Sequence, residues 1–198
     1  MKIYNMKQQT DEWFEIRLGK FTASNFSSLF SNKSTLKYQS VINDVVYERL
    51  TGLRQESFSN QWMERGNELE SEARQSYEML KFQKVKEIGF VELNNRIGCS
   101  PDGFVGDNGM IEIKCPKAST LISLHSSEKI KKDHYWQIQG QMWICKKQWC
   151  DYYVYHPELP AYIKRLERND DDIKRLENEI NEAIELVKTR IKKIRSEK

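Results

Sequence analysis

The stretch Ser100-Pro101-Asp102-Gly103-Phe104-Val105-Gly106-Asp107-Asn108-Gly109-Met110-Ile111-Glu112-Ile113-Lys114-Cys115-Pro116 constrains the fold more than any other part of this chain. Two β-forming runs flank a cluster of turn residues, the pattern of an antiparallel hairpin. Asp107-Asn108-Gly109 suits a three-residue loop, with Gly109 free to take the left-handed conformation that closes it. That register predicts Asp102 opposite Lys114 and Phe104 opposite Glu112. Side chains alternate faces along a strand, so Asp102, Glu112 and Lys114 then project together. Diagonal neighbours across such a pair sit about 7–8 Å apart, near enough for two carboxylates to converge on one cation. The plainer reading of Ile111-Glu112-Ile113-Lys114 is a half-exposed strand, apolar inward and charged outward.

The elements around the hairpin follow from periodicity and caps. Thr10 or Asp11 opens a first helix that Gly19 ends, and Thr22-Ala23-Ser24 opens a second, short one. Val41, Ile42, Val45, Val46 and Leu50 mark an amphipathic helix from Leu36 to Leu50, closed by Gly52. A longer helix runs from about Asn60 to Leu80, where Trp62, Gly66, Leu69, Ala73, Tyr77 and Leu80 share a face with Glu70 beside them. Val85–Leu93 and Arg96–Ser100 read as strands about Asn94-Asn95. After Pro116 the pattern returns to helix, clearest from His134 to Lys146, and Cys150–His156 and Ala161–Leu166 read as two more strands. From Asp170 to Lys198, Ile173, Leu176, Ile180, Ile184, Val187, Ile191 and Ile194 give a narrow apolar stripe, suited to the domain itself or to a partner chain. The order predicts one α/β domain over 1–198, with N-terminal helices over 10–52, a core with a mixed central sheet flanked by helices over about 60–168, and a long C-terminal helix from about 170.

Composition narrows the setting. At 198 residues, 38% of them hydrophobic, the chain supports one well-packed domain. It contains no apolar run of membrane-spanning length and no apolar leader, so an intracellular protein is expected. Cys99, Cys115, Cys145 and Cys150 form no CxxC pair and only three histidines accompany them, which argues against a structural zinc or iron–sulfur site. A net charge of +3 neither demands nor excludes nucleic acid. The basic clusters at Lys129–Lys132, Lys146-Lys147 and beyond Lys188 read individually as solvated faces. There is no GxxxxGK[ST] loop, so ATP is not expected to drive movement.

Glu70 on a helix, Asp102 at a strand end and Glu112-x-Lys114 on the next strand together resemble the PD-(D/E)xK nucleases, with a restriction-endonuclease-like core. Four blocks, spread over roughly residues 11 to 156, resemble the phage lambda exonuclease family (YqaJ-like viral recombinases, alkaline exonucleases). They are Trp13 through Arg17-Leu18-Gly19 to Thr22-Ala23-Ser24; Gly66-x-x-x-Glu70-x-x-Ala73; Ser100-Pro101-Asp102-Gly103 with Glu112-Ile113-Lys114-Cys115-Pro116; and Gln137-x-Gln139 with Met142-Trp143. Taken singly, Glu70 and Gln137 read as surface residues; their joint order with the others reverses that.

The resemblance implies a Mg²⁺-dependent 5′→3′ exonuclease on double-stranded DNA, phage or prophage encoded, releasing 5′-mononucleotides and leaving 3′ overhangs. Mn²⁺ would substitute. It implies that Asp102, Glu112 and the Ile113 carbonyl hold one ion, that Glu70 helps with a second ion or its water, that Lys114 activates the nucleophilic water and that Gln137 positions it. Hard oxygen donors suit such an ion. Arg17 and Ser24 are implied as the pocket for a 5′-phosphate, with Ser100 and Gln139 as further site candidates. A trimeric ring and a single-strand annealing partner come with the family. The alternatives are an endonuclease on the same fold, restriction-like or junction-specific, and a non-catalytic DNA-binding module.

Overall fold

Among the residues described, the strands form two sheets, where one central sheet was expected. The computed structural model describes residues 1–55 and 61–196, with 61–67 by backbone alone. In chain order the elements are β1 (Lys2–Tyr4), α1 (Asp11–Arg17), β2 (Phe21–Thr22), a 3₁₀ turn (Ala23–Asn25), α2 (Phe26–Leu29), α3 (Leu36–Thr51), α4 (Gln61–Lys81), β3 (Val85–Lys86), β4 (Phe90–Asn94), β5 (Ile97–Cys99), β6 (Gly103–Val105), β7 (Gly109–Lys114), α5 (Ala118–Ser127), α6 (Lys132–Cys145), β8 (Trp149–His156), β9 (Leu159–Glu167) and α7 (Asp170–Ser196). The first sheet has the order β1-β4-β5-β2 and the second β3-β6-β7-β8-β9. Both are mixed: β2 runs parallel to β5, and β7 parallel to β8 with α5 and α6 as the crossover. The α/β class stands, with helices flanking the sheets and a long helix at the C-terminus.

Caps place the helix ends where the sequence puts them. The Thr10 hydroxyl accepts from the Trp13 N–H to start α1, Thr35 does the same for Tyr38 in α3, and Gly52 closes α3 in the left-handed region at φ 70°. Helix α4 covers the expected span, although Asn60 and the Trp62 and Gly66 side chains lie outside what is described.

The hairpin register differs from the expected one by two residues. Gly103 pairs with Ile111, Phe104 with Met110 and Val105 with Gly109, so the loop is Gly106-Asp107-Asn108. The left-handed glycine is Gly106, at φ +56°, and not Gly109. Gly109 is required for a different reason: an added Cβ would come 2.1 Å from the Trp149 ring. A slip of two preserves parity, and Asp102, Glu112 and Lys114 still line one cleft.

Both faces of β7 are covered, which overturns the half-exposed reading. Ile111 and Ile113 pack with Val105, Tyr153 and with Ala73 and Tyr77 of α4. Met110 on the other face joins Cys150, Tyr152 and Val154 in the main core, beneath Ile138 and Met142 of α6. Glu112 shares this second face and is only 1% exposed. Close approach of α6 to α2 depends on Gly140, where a Cβ would meet the Phe26 ring at 2.3 Å.

The C-terminal stripe resolves onto the domain itself. Ile173, Leu176, Ile180, Ala183, Ile184 and Val187 are buried where α7 packs on α2, α3 and α6. Each of the isoleucines, the leucine and the valine contributes about 1.5–3 kcal/mol when fully buried. Arg190 extends the attachment by donating to Asn43 Oδ1 at 2.5 Å and Gln39 Oε1 at 2.6 Å on α3. No helix of the described residues is long and apolar enough to cross a membrane. None of the four cysteines is in a disulfide, and the buried Cys99 and Cys145 sulfurs lie 3.5 Å apart.

Candidate active site

Chain topology brings the chemistry-bearing residues to one place. Because β2 and β5 are parallel, their C-terminal ends open at the same edge, and Thr22–Ser24 comes to lie beside Ser100. The segment Ser100-Pro101-Asp102 leaves the first sheet at β5 and enters the second at β6. Asp102 therefore stands at the junction, close to the end of β7. The parallel crossover then lays α6 over the β7–β8 face. The result is a cleft of about 630 Å³ with Arg17, Ser24 and Ser100 towards one part and Asp102, Glu112 and Lys114 towards another.

Glu112 is the most constrained of these groups. Its Oε1 accepts from Gln137 Nε2 at 2.7 Å and from the Lys114 ammonium at 2.5 Å, and its Oε2 accepts from Gln141 Nε2 at 2.8 Å. An ionised carboxylate offers about four acceptor sites, so three are taken and one remains. Asp102 Oδ2 accepts from the Ile113 backbone N–H at 2.6 Å. Burial, and then the negative charges of Glu112 and Glu70, hold the Asp102 carboxyl well above the usual carboxylate range against the pull of Lys114 and the Ile113 N–H. Glu70 is raised as well, by burial first, with Arg74 opposing and Glu112 adding to it. Burial alone would lower the pKa of Lys114, but the Glu112 and Asp102 charges outweigh it and keep the group cationic.

Asp102 and Glu70, both raised by burial and by the neighbouring Glu112 charge, share the cleft with Glu112, and a cation bound among the three would relieve that repulsion. The donors are hard oxygens, without histidine or cysteine ligands, which fits Mg²⁺ or Mn²⁺. Among the described residues, no three such groups are already drawn into a ligand set. Glu70 instead accepts from Arg74 Nη2 at 2.6 Å, one helical turn along α4.

At the other part of the cleft Arg17 is held by neutral groups. Its Nη1 donates to Ser100 Oγ at 2.8 Å and its Nη2 reaches Thr22 Oγ1 at 3.5 Å, while Ser24 Oγ lies 3.2 Å from Thr22 Oγ1. The Trp13 ring lies 4.1 Å from the guanidinium carbon, and its Nε1 donates to the same Ser100 hydroxyl at 2.9 Å. Burial pushes the Arg17 pKa down to about 10, with Cys99 and Glu48 opposing. Thr22-Ala23-Ser24 was expected to open a second helix, whose N-terminus would attract an anion. The helical turn there is Ala23–Asn25, only three residues, so the anion-binding character rests on the side chains.

The structure thus brings Glu70, Asp102, Glu112, Ile113, Lys114, Gln137, Arg17, Ser24 and Ser100 to one cleft. Gln139 is elsewhere. It is 1% exposed, and its amide donates to the Glu167 carbonyl and accepts from the Asn169 N–H, both at 2.9 Å, fastening the start of α7. Sequence reasoning assigned no role to Gln141, although it lies one helical turn from Gln137. It also passed over His134 and Tyr152, joined at 2.7 Å between His134 Nδ1 and the phenol oxygen, which line the same cleft.

Comparison with known proteins agrees with this geometry. The family model described as a YqaJ-like viral recombinase domain matches residues 12–148. The structure of LHK-Exo, an alkaline exonuclease from Laribacter hongkongensis, matches with a TM-score of 0.89 and 34% identity, covering 95% of this chain and 97% of that one. The same enzyme in complex with dAMP matches at 35% identity with the same TM-score and coverage. A phage related exonuclease from Haemophilus somnus 129PT shares the fold, with a TM-score of 0.73 at 18% identity over 88% of this chain and 96% of that one. No curated protein sequence matches.

Proposed function

The chain belongs to the YqaJ-like viral recombinase family, and from that premise we propose that it is a Mg²⁺-dependent 5′→3′ exonuclease on double-stranded DNA. Nuclease activity is what its alkaline-exonuclease relatives imply. The finer reading is supported chiefly by one observation: a carboxylate–lysine floor and a half-buried arginine open into the same cleft.

In this reading Arg17, Ser100 and Ser24 hold the terminal 5′-phosphate. A guanidinium can give two parallel hydrogen bonds to a phosphate, and here it is already oriented by Trp13 and Ser100. Asp102, Glu112 and the Ile113 carbonyl would hold the catalytic Mg²⁺, and Glu70 would contribute to a second ion or its water. Bound there, Mg²⁺ supplies Lewis acidity at the phosphate and lowers the pKa of water. Lys114, cationic beside Glu112, stabilises negative charge as water attacks the scissile phosphorus. Gln137 keeps Glu112 and Lys114 in register by donating to one and accepting from the other at 3.4 Å. The bond from phosphorus to the 3′ oxygen breaks, so the terminal residue leaves as a 5′-mononucleotide. The phosphate remains on the next residue as a fresh 5′ end for Arg17, and a 3′ single strand grows behind. The dAMP bound by LHK-Exo is a product of this chemical class.

A closed ring of identical chains, three by family resemblance, would keep the enzyme on its substrate without ATP, and a single-strand annealing protein would receive the exposed strand. The decisive experiment compares linear 5′-phosphorylated duplex with covalently closed circular duplex, each with Mg²⁺ and with a chelator. Mononucleotides from the linear substrate alone, and only with Mg²⁺, are expected. Cutting of the circle would instead establish an endonuclease.

A further inference from the structure

His134 and Tyr152 have no part in the reaction as described, yet they face the same cleft as Lys114. Tyr152 pairs with Glu112 and Val154 with Lys114 across the parallel β7–β8 ladder, so the phenol rises on the catalytic face. His134 stands on α6 one turn before Gln137 and two before Gln141, and the three form one row. Two of that row bind Glu112; the third binds Tyr152. Burial, followed by the charges of Lys114 and Lys131, pushes the His134 pKa down to about 4, with Asp133 opposing, so the imidazole is neutral at ordinary pH. Burial raises the Tyr152 phenol to about 12, against the pull of Lys114.

A neutral imidazole and a phenol joined by one hydrogen bond carry two polar protons. One makes the bond, and the other is left over in either tautomer. If the phenol donates to Nδ1, the imidazole keeps an N–H at Nε2. If Nδ1–H donates, the phenol keeps its O–H. Either way the pair offers one uncharged donor to the cleft, near the Lys114 and Lys131 charges. An uncharged donor in a cleft that also carries lysine charges suits the oxygen of an anion that passes through and must move on. We propose that the His134–Tyr152 pair donates a hydrogen bond to a non-bridging oxygen of the DNA phosphodiester immediately 3′ of the scissile one. In the order we assign, the terminal phosphate is at Arg17, the scissile phosphate at Lys114 and the next phosphate at His134, which lines the same cleft and feels the Lys114 and Lys131 charges. This assignment rests on the exonuclease reading and adds a third phosphate subsite to it.

A contact to a non-reacting phosphate is the same in ground and transition states, so its loss raises KM and leaves kcat unchanged. The test is release of the first nucleotide from a 5′-phosphorylated duplex, with the phosphodiester 3′ of the scissile one either native or replaced by each methylphosphonate diastereomer. On native duplex, His134→Leu should raise KM roughly tenfold at unchanged kcat. His134→Gln, whose amide can accept from Tyr152 and donate in turn, should recover most of the loss. One methylphosphonate diastereomer should slow the wild type at low DNA concentration and add little to His134→Leu. An unchanged KM in folded His134→Leu overturns the proposal, as does equal slowing of both proteins by the modification. If His134→Leu does not fold, a modified linkage that costs the wild type nothing overturns it equally well. A wild type that cannot digest the native duplex with Mg²⁺ refutes the exonuclease reading itself, an outcome separate from these.

Discussion

Lys114 and Arg17 are two cations facing one cleft, and their surroundings differ in kind. The Lys114 ammonium lies 2.5 Å from the Glu112 carboxylate and is held firmly protonated. Arg17 hydrogen-bonds, among the described residues, to the hydroxyls of Ser100 and Thr22 over an aromatic ring, and burial draws its pKa down to about 10. The lysine already has its counter-charge, whereas the arginine is desolvated beside neutral donors and acceptors. A half-buried charge with, among the described residues, no ion pair is costly to hold, and an arriving phosphate would relieve that cost. On the proposed reading, the Lys114 end serves chemistry and the Arg17 end capture. Substitutions at the two ends should therefore differ in what they change, and by how much.

The largest effect is expected at the chemical end. On the proposed reading Lys114→Ala removes the cation beside the attacking water, and loss of one such transition-state stabiliser costs about 10²–10³ in rate. Glu112→Gln keeps the shape but loses the carboxylate on which Gln137, Gln141 and Lys114 converge, and should fall at least as far. Single-turnover release of nucleotides under saturating DNA reads this directly. Both proteins should bind duplex nearly as well as the wild type. Near-normal turnover by folded Lys114→Ala would erase the distinction between the two ends.

A smaller loss, confined to one kind of DNA end, is expected for Arg17→Ala. Hydrogen bonds to a charged group contribute about 1.5–3 kcal/mol, which corresponds to roughly a ten- to hundredfold slowing on 5′-phosphorylated ends. A 5′-hydroxyl end lacks the contact, so the difference between the two substrates should narrow. Arg17→Lys should not recover it, because an ammonium cannot reproduce the planar fork. All rates belong at one salt concentration, since general phosphate contacts are salt-sensitive. Equal slowing on both ends would make Arg17 an ordinary backbone contact.

What could be read from the sequence depended on periodicity. The expected hairpin loop lies one residue late and its register two residues off, yet Asp102, Glu112 and Lys114 still come together, because a strand has period two and an even slip in register is harmless to its faces. Thr10, Thr35 and Gly52 announce helix ends through local chemistry, and those ends were legible. The strands β1 and β2, of three and two residues, are too short to carry a period, so the division into two sheets was not. The burial of Glu112 was hidden for a related reason: alternation of apolar and charged residues looks alike whether the charged face meets water or a row of glutamines from α6. On that helix Gln137 and Gln141 are a turn apart and Gln139 is on the far side. Helical spacing therefore separates them, but only the packing of α6 reveals which face meets Glu112.

The smallest expected effect sharpens the same contrast from the side of stability. In the metal-free protein the folded state holds the Asp102 carboxyl above its ordinary range, through burial and then through Glu112 and Glu70. Between the ordinary carboxylate pKa, about 3.9, and the raised one, the folded chain binds more protons than the unfolded chain. Stability from this group is thus present at low pH and is lost as pH rises through that window. Asp102→Asn keeps an acceptor for the Ile113 N–H and removes the titration. The variant should therefore melt slightly higher than the wild type at neutral pH without metal, and the gap should close on acidification. Added Mg²⁺ should reverse the order, because it relieves the repulsion in the wild type and loses a ligand in the variant. No analogous reversal should occur at the other end of the cleft: Arg17→Ala should leave the Mg²⁺-induced shift in Tm intact. Thermal melts of the three proteins at neutral and acidic pH, with Mg²⁺ and with chelator, measure both halves. A Mg²⁺ shift that survives in Asp102→Asn would move the metal away from Asp102, and one that disappears in Arg17→Ala would merge the two ends into a single electrostatic unit.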